Sequence, residues 1–219
     1  MTVTKERVDG ALLTGIGAGY LQKVKTEAAS ESGLTYEDKT YEVFAIDKVA
    51  FKGQKKEKPV YLSNNKIRDI VKFSSAEMTV DIGFFPEGFV EEMSGMIKLA
   101  NGAYVQGDSP KYKYFRWSFP VTDENGGEII FNFPYCQLKH PDFNAETETD
   151  EKKENIAQVT IEAFPVIGSD NKSVYSKMDL RTTNLYDREK LLLNGFYNAE
   201  TLKACIKDGQ TDSTVVPRA

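Results

Sequence analysis

The sequence predicts a mainly β protein, an antiparallel β-sandwich or partly closed barrel with one flanking α-helix and long loops or arms. Two runs carry this expectation by alternating with period two. The first sets Phe115, Trp117, Phe119 and Val121 against Tyr114, Arg116 and Ser118, and the second puts Ile129, Phe131, Phe133 and Tyr135 on one face. Between them, Asp123-Glu124-Asn125-Gly126-Gly127 offers residues that tolerate the positive φ a hairpin turn requires. A third alternating run, Ala157, Val159, Ile161 and Ala163, follows a long polar segment. With 40% hydrophobic and 11% aromatic residues, 219 residues suffice to bury a core, most simply as one domain with extended arms.

Taken in order, residues 1–10 are expected as an arm, and Gly15, Gly17 and Gly19 as a glycine-rich lead-in to a first strand. These glycines share part of a dinucleotide fingerprint. However, no buried strand precedes them, the third is too close, and no βαβ pattern follows. Residues 41–46 read as a strand ending near Asp47. The charged, proline-bounded stretch Lys52-Gly53-Gln54-Lys55-Lys56-Glu57-Lys58-Pro59 reads first as a solvated loop. The clearest strand runs from Glu77 to Phe84, with Met78, Val80, Ile82 and Phe84 inward and Glu77, Thr79 and Asp81 outward. Pro86 suits the first turn of a helix whose apolar stripe is Phe89, Met93, Met96 and Ile97.

Past the hairpin, residues 139–155 form an acidic segment that includes Glu146, Glu148, Asp150 and Glu151, about as long as a compact domain tolerates without a function for it. Residues 179–186 alternate like a strand. Asn198 is placed to cap a helix carrying Leu202 and Ile206, with Gly209 ending it and residues 210–219 frayed. The expected organisation is a β domain over residues 1–175 and a C-terminal extension over 176–219.

Composition narrows the chemistry. No stretch approaches the roughly 18 to 20 apolar residues of a membrane span, and Met1 to Glu6 lacks a secretion signal's apolar core, so a protein made in a cytoplasm and away from membranes is expected. Cys136 and Cys205 are too far apart for a zinc or disulfide framework. A net charge of −5 argues against general nucleic-acid binding. His140, the single histidine, precedes Pro141 and leaves no histidine triad or multi-histidine metal site. The acidic segment lacks the glycine and terminal glutamate of a calcium loop, and a solvated carboxylate run does not shift a pKa as general acid-base catalysis requires. No catalytic, cofactor or metal residue is therefore expected, nor any enzymatic activity. Tyr112, Tyr114 and Trp117 invite a carbohydrate-binding reading, although Trp117 shares its face with Phe115 and Phe119 and is better placed in a core.

The order of these features resembles one family. The matching residues are Tyr61-Leu62-Ser63-Asn64-Asn65, then Glu77 to Phe84 running into Pro86-Glu87-Gly88-Phe89, and then Tyr114-Phe115. They continue with Thr147-Glu148-Thr149, Val159-Thr160-Ile161-Glu162-Ala163-Phe164-Pro165 and Asp170-Asn171-Lys172. From roughly Val60 to Val174, the chain resembles the major tail proteins, the tail-tube subunits of long-tailed, non-contractile bacteriophages, of the type common in phages of Gram-positive bacteria. It departs from them at Asn171, where a glycine is usual, an exchange a left-handed turn tolerates.

The resemblance implies a structural subunit of the virion tail, assembling with itself into stacked, usually hexameric rings and meeting tape-measure, terminator and distal tail proteins. DNA would pass through the tube without adhering. Glu77 and Asp81 are then candidates for the channel wall. Lys55, Lys56 and Lys58 are candidates for contact with the next ring, complementing Glu146, Glu148, Asp150 and Glu151 of a neighbouring subunit. The alternatives are a related tail component, such as a terminator or distal baseplate ring, and a carbohydrate-binding β-sandwich module.

Overall fold

The computed structural model describes residues 11–26, 33–62, 65–139, 157–166 and 172–210, with residues 56–72 and 157 described by their backbone. The chain is mainly β. One antiparallel sheet runs in the order β3 (Thr35–Val43), β2 (Gly19–Thr26), β8 (Tyr114–Asp123), β9 (Glu128–Leu138), β10 (Ala157–Ala163), β5 (Asn65–Ile82), β4 (Ile46–Leu62). Two short strands extend ladders already in place. β1 (Leu13–Ile16) pairs with the end of β8 past β2, and β11 (Ser176–Asp179) pairs with residues 129–132 of β9 beside β10. The sheet curls so that Leu21, Val43 and Trp117 from one half share a core with Met78, Val80 and Ile82 from the other. Phe51 of β4 accordingly lies edge-on to Phe133 of β9, with ring centroids 5.5 Å apart.

The β8–β9 hairpin forms as expected. The Asp123 carboxylate accepts from the Asn125 and Gly127 amides at 2.9 and 2.7 Å, and Gly126 takes φ 78°. Its burial differs from the half-buried pattern, because Arg116 and Ser118, expected on a solvated face, are both fully buried. The second face is covered by Leu191, Leu192, Phe196 and Cys205. Tyr135 also departs from the face of Phe133. The register passes from Trp117↔Phe133 to Phe115↔Cys136, which inserts one extra residue in β9 and reverses its alternation. Tyr135 thereby stacks on Tyr114, with centroids 4.1 Å apart, while Cys136 and Leu138 take over the core face.

Three further expectations are corrected. Residues 52–59 are not a loop but the middle of β4, laddered to β5 from Ile46↔Ile82 to Leu62↔Asn65. Pro59 is tolerated there because β4 is the outermost strand of the sheet. Residues 41–46 break at Phe44-Ala45, where β3 ends and β4 begins. β5 ends at Ile82, so Phe84 lies outside the ladder and is 61% exposed instead of buried.

Three short helices stand where two were expected. The first, α1 (Phe89–Met93), buries Phe89 and Met93 but stops before Gly95, whose φ of 75° turns the chain, so Ile97 leaves the stripe. Ile97 instead enters the two-stranded ribbon of β6 (Ile97–Lys98) and β7 (Tyr104–Val105). The second, α2 (Arg188–Asn194), is capped by Asp187, which accepts from the Lys190 amide at 3.0 Å. The third, α3 (Ala199–Lys203), is capped by Asn198, as the sequence indicated, in a capping box completed by Thr201, but ends well before Gly209. The expected strand over residues 179–186 is not formed: β11 (Ser176–Asp179) ends where it was to begin, and beyond it only a single bridge joins Tyr186 to Ile206.

Candidate assembly surfaces

The most distinctive surface element is the outer part of the β4–β5 hairpin. β10 pairs with β5 only as far as Ala163↔Ala76, so residues 54–62 and 65–75 continue as a two-stranded ribbon paired with nothing else among the described residues. At about 3.3 Å per residue this arm extends roughly 30 Å. Its root is built from particular residues. A bulge separates Gln54↔Ser75 from Lys55↔Phe73, and the Ser74 hydroxyl donates to the Gln54 carbonyl at 3.1 Å. The Phe73 ring covers Gly53 so closely that any β-carbon at Gly53 would overlap it. Phe73 also lies edge-on to Tyr175 at 6.3 Å. Lys55 is exposed at this root, and Lys56 and Lys58 are paired in the ladder opposite Lys72 and Ile70. Glu146, Glu148, Asp150 and Glu151 lie outside the described residues, as does His140.

Glu77 and Asp81 lie on the face of β5 away from the core, both partly exposed. Their surroundings are mixed in charge. Glu77 sits between Lys52 of β4 and Glu162 of β10 and is ion-paired with Lys139, which also reaches Glu162 at 3.8 Å. Asp81 sits between Lys48 and Gln158, and the Gln158 amide donates to it at 2.9 Å. Lys48, Lys52 and Lys139 thus offset a purely acidic wall on this face.

At the opposite end of the same hairpin from the arm, Gly83 N donates to Ala45 O at 2.7 Å and closes a foot beside the Ile46↔Ile82 pair. Phe44, 72% exposed, and Phe84 flank this contact, with Asp47 and Glu87 exposed close by in the chain. The sequence placed Phe84 in the core because its alternation with Ile82 continues past the point where the ladder stops.

Two grooves accompany these surfaces. One, of about 370 Å³, is lined by Lys23, Lys25, Glu37, Glu92, Lys113 and Tyr114. Glu92 is ion-paired there with Lys23 and, at 2.8 Å, with Lys113. Burial acts to raise the Glu92 pKa, but the hydrogen bonds from Lys113 and Lys23 outweigh it and hold the carboxyl below its ordinary value. The other, of about 340 Å³, runs along Phe73, Tyr175, Tyr197 and Lys172. Lys172, with φ 41°, is the one described non-glycine residue in the left-handed region, and Asn171, where the sequence located that turn, lies outside the described residues.

Beneath the outer face of β8 is a group that period-two reasoning missed. Arg116 Nε donates to Gln22 Oε1 at 3.1 Å, Nη1 to the Ser118 hydroxyl at 3.2 Å, and Nη2 to the main-chain oxygens of Leu192 and Leu193 at 2.9 and 2.7 Å. Its guanidinium also lies 5.6 Å from the centre of the Tyr36 ring. Burial pulls the Arg116 pKa down to about 10, which leaves it charged at neutral pH. Trp117 is buried in the core, as its neighbours indicated. Among the described residues, no group of three or more His, Cys, Asp or Glu is placed to hold a metal ion, and no helix is long and apolar enough to cross a membrane. No protein-family model and no curated protein matches the chain.

Proposed function

We infer that the chain is a structural subunit that polymerises into the tail tube of a long-tailed, non-contractile phage, acting in the virion as a conduit for genome ejection. The observation that carries this reading is the long β4–β5 arm, which leaves the body at the position where the resemblance expects a segment reaching the next ring. The outermost strands β3 and β4 support it further, because neither has a second partner among the described residues. Open edges of this kind are available to strands of a neighbour, and a head-to-tail contact between unlike edges gives a ring when its rotation closes. No reaction is required of such a subunit. Its partners would be further copies of itself and the tape-measure, terminator and distal tail proteins.

Negative-stain electron microscopy of the purified chain at increasing concentration, with light scattering on the same samples, tests this reading. Hollow tubes of uniform width, or stacked rings, are expected. Assemblies that stop at one or two rings identify a terminator or distal baseplate component instead. A second reading, glycan binding, draws on the groove where Tyr175 is 39% exposed beside Phe73 and Lys172. A chain that stays monomeric and is retained on immobilised glycans favours that reading.

A further inference from the structure

The arm and the foot occupy opposite ends of one hairpin and carry opposite chemistry. Residues 54–75 hold six basic side chains against two acidic ones, Glu57 and Asp69, for a net charge of +4. The whole chain carries −5, so the remainder carries −9. The arm tip also brings Val60, Tyr61, Leu62 and Ile67. The foot presents two exposed aromatic rings, Phe44 and Phe84, with exposed carboxylates at Asp47 and Glu87 against one exposed cation, Lys48. β4 spans 17 residues, about 55 Å along its length, so the tip and foot of one chain do not meet.

We propose that the aromatic and acidic foot formed by Phe44, Asp47, Phe84 and Glu87 is the acceptor site for the basic, apolar arm tip of a second copy of this chain. The proposal rests on the tail-tube reading for its setting and specifies which surface receives the arm. Exposed phenylalanines supply apolar area that a partner buries, and the flanking carboxylates select a basic partner over the acidic body of another copy. Because tip and foot are different surfaces, the contact is heterologous, and with a rotation that does not close on itself it repeats as a stack. In this arrangement Phe84 leaves the core because its place is under a neighbour.

The test mixes two full-length variants, Leu62→Cys and Phe84→Cys, under mild oxidation over a range of concentrations. The native Cys136 and Cys205 are buried and do not compete. Mixed disulfide dimers are expected at least tenfold in excess of either homodimer. Asp47→Lys with Glu87→Lys in the acceptor chain should remove that excess, and Lys58→Glu with Arg68→Glu in the arm chain should restore it. Tubes that assemble without the mixed cross-link overturn the acceptor site and leave the tail-tube reading standing. Mixed cross-links with restoration by charge exchange, in a chain that never forms rings or tubes, support the acceptor site and count against the tube. No mixed excess up to millimolar chain, with or without tubes, overturns the acceptor site.

Discussion

Arg116 in β8 holds Leu193 at the end of α2, its Nη2 donating to the Leu193 main-chain oxygen at 2.7 Å. A cation at the carboxyl end of a helix satisfies carbonyls that have no partner within the helix and matches the helix dipole. The fit is close on the other side as well. A β-carbon at Gly195 would lie 2.7 Å from Arg116 Nη1 and 3.0 Å from Asn132 Oδ1. The C-terminal helices are thus fastened to the sheet by polar geometry in addition to the apolar contact of Leu191 and Leu192 with Ile130.

Replacing Arg116 by Met should cost about 3–5 kcal/mol, since it strands several buried acceptors at once and leaves the space of the guanidinium unfilled. For a chain of this size, that lowers the melting temperature by roughly 10 °C. Arg116→Lys should recover only part of the loss, because an ammonium cannot span Gln22, Ser118 and two carbonyls together. Urea unfolding of the three proteins measures the difference.

Gly53→Ala should destabilise the arm root by about 1–3 kcal/mol through overlap with the Phe73 ring. Combining it with Phe73→Ala should cost less than the two single changes added together, with a coupling of roughly 0.5–3 kcal/mol. Additive losses in that double-mutant cycle would show that the ring and the glycine do not form a unit.

The ion pairs of Glu92 predict a pH dependence on the acid side. Its folded-state pKa lies below the ordinary value of 4.5. The stabilisation is therefore fully present above about pH 5 and is lost as pH falls through the depressed folded value. Partial exposure limits the effect to about 1 kcal/mol or less. Wild type and Glu92→Gln should differ in stability at pH 7 and converge as the pH falls through the depressed folded value, in parallel denaturation series.

Neither cysteine should react readily in the folded chain. Burial raises the Cys136 thiol far above its ordinary value and pushes Cys205 up to about 11, and the thiolate is the nucleophile. Titration with a thiol-specific chromogenic reagent at pH 8 should show almost no release from the native protein and two equivalents in denaturant.

The elements most legible in the sequence were those whose signals are local. Asp123 to Gly127 specifies its turn within five residues, and Asn198 declares a helix start. What escaped depended on partners distant in the chain. Arg116 looked solvated because nothing nearby reveals that α2, more than 70 residues later, will cover it. The same helix was missed although Asp187 at its start and Gly195 at its end were present as signals. The lysines of residues 52–58 read as a loop because charge is their dominant local signal, and their partner β5 supplies the ladder that composition does not display. At Pro134, a single inserted residue reversed the alternation and carried Tyr135 to the other face. Among the candidate site residues, alternation placed Glu77 and Asp81 on the outward face of β5 but could not show the lysines beside them.

The outer edge of β9 is completed by two strands made after it, β10 at residues 136–138 and β11 at residues 129–132, and its underside is closed last, by α2. During synthesis, then, a strand carrying Phe131, Phe133 and Tyr135 waits with an unfilled edge, and the Arg116 charge with no carbonyl to hold, until about residue 196 has left the ribosome. A nascent chain stalled between residues 140 and 190 carries an adhesive strand that the finished protein conceals. Its safety in the cell therefore depends on how quickly the last fifth of the chain arrives.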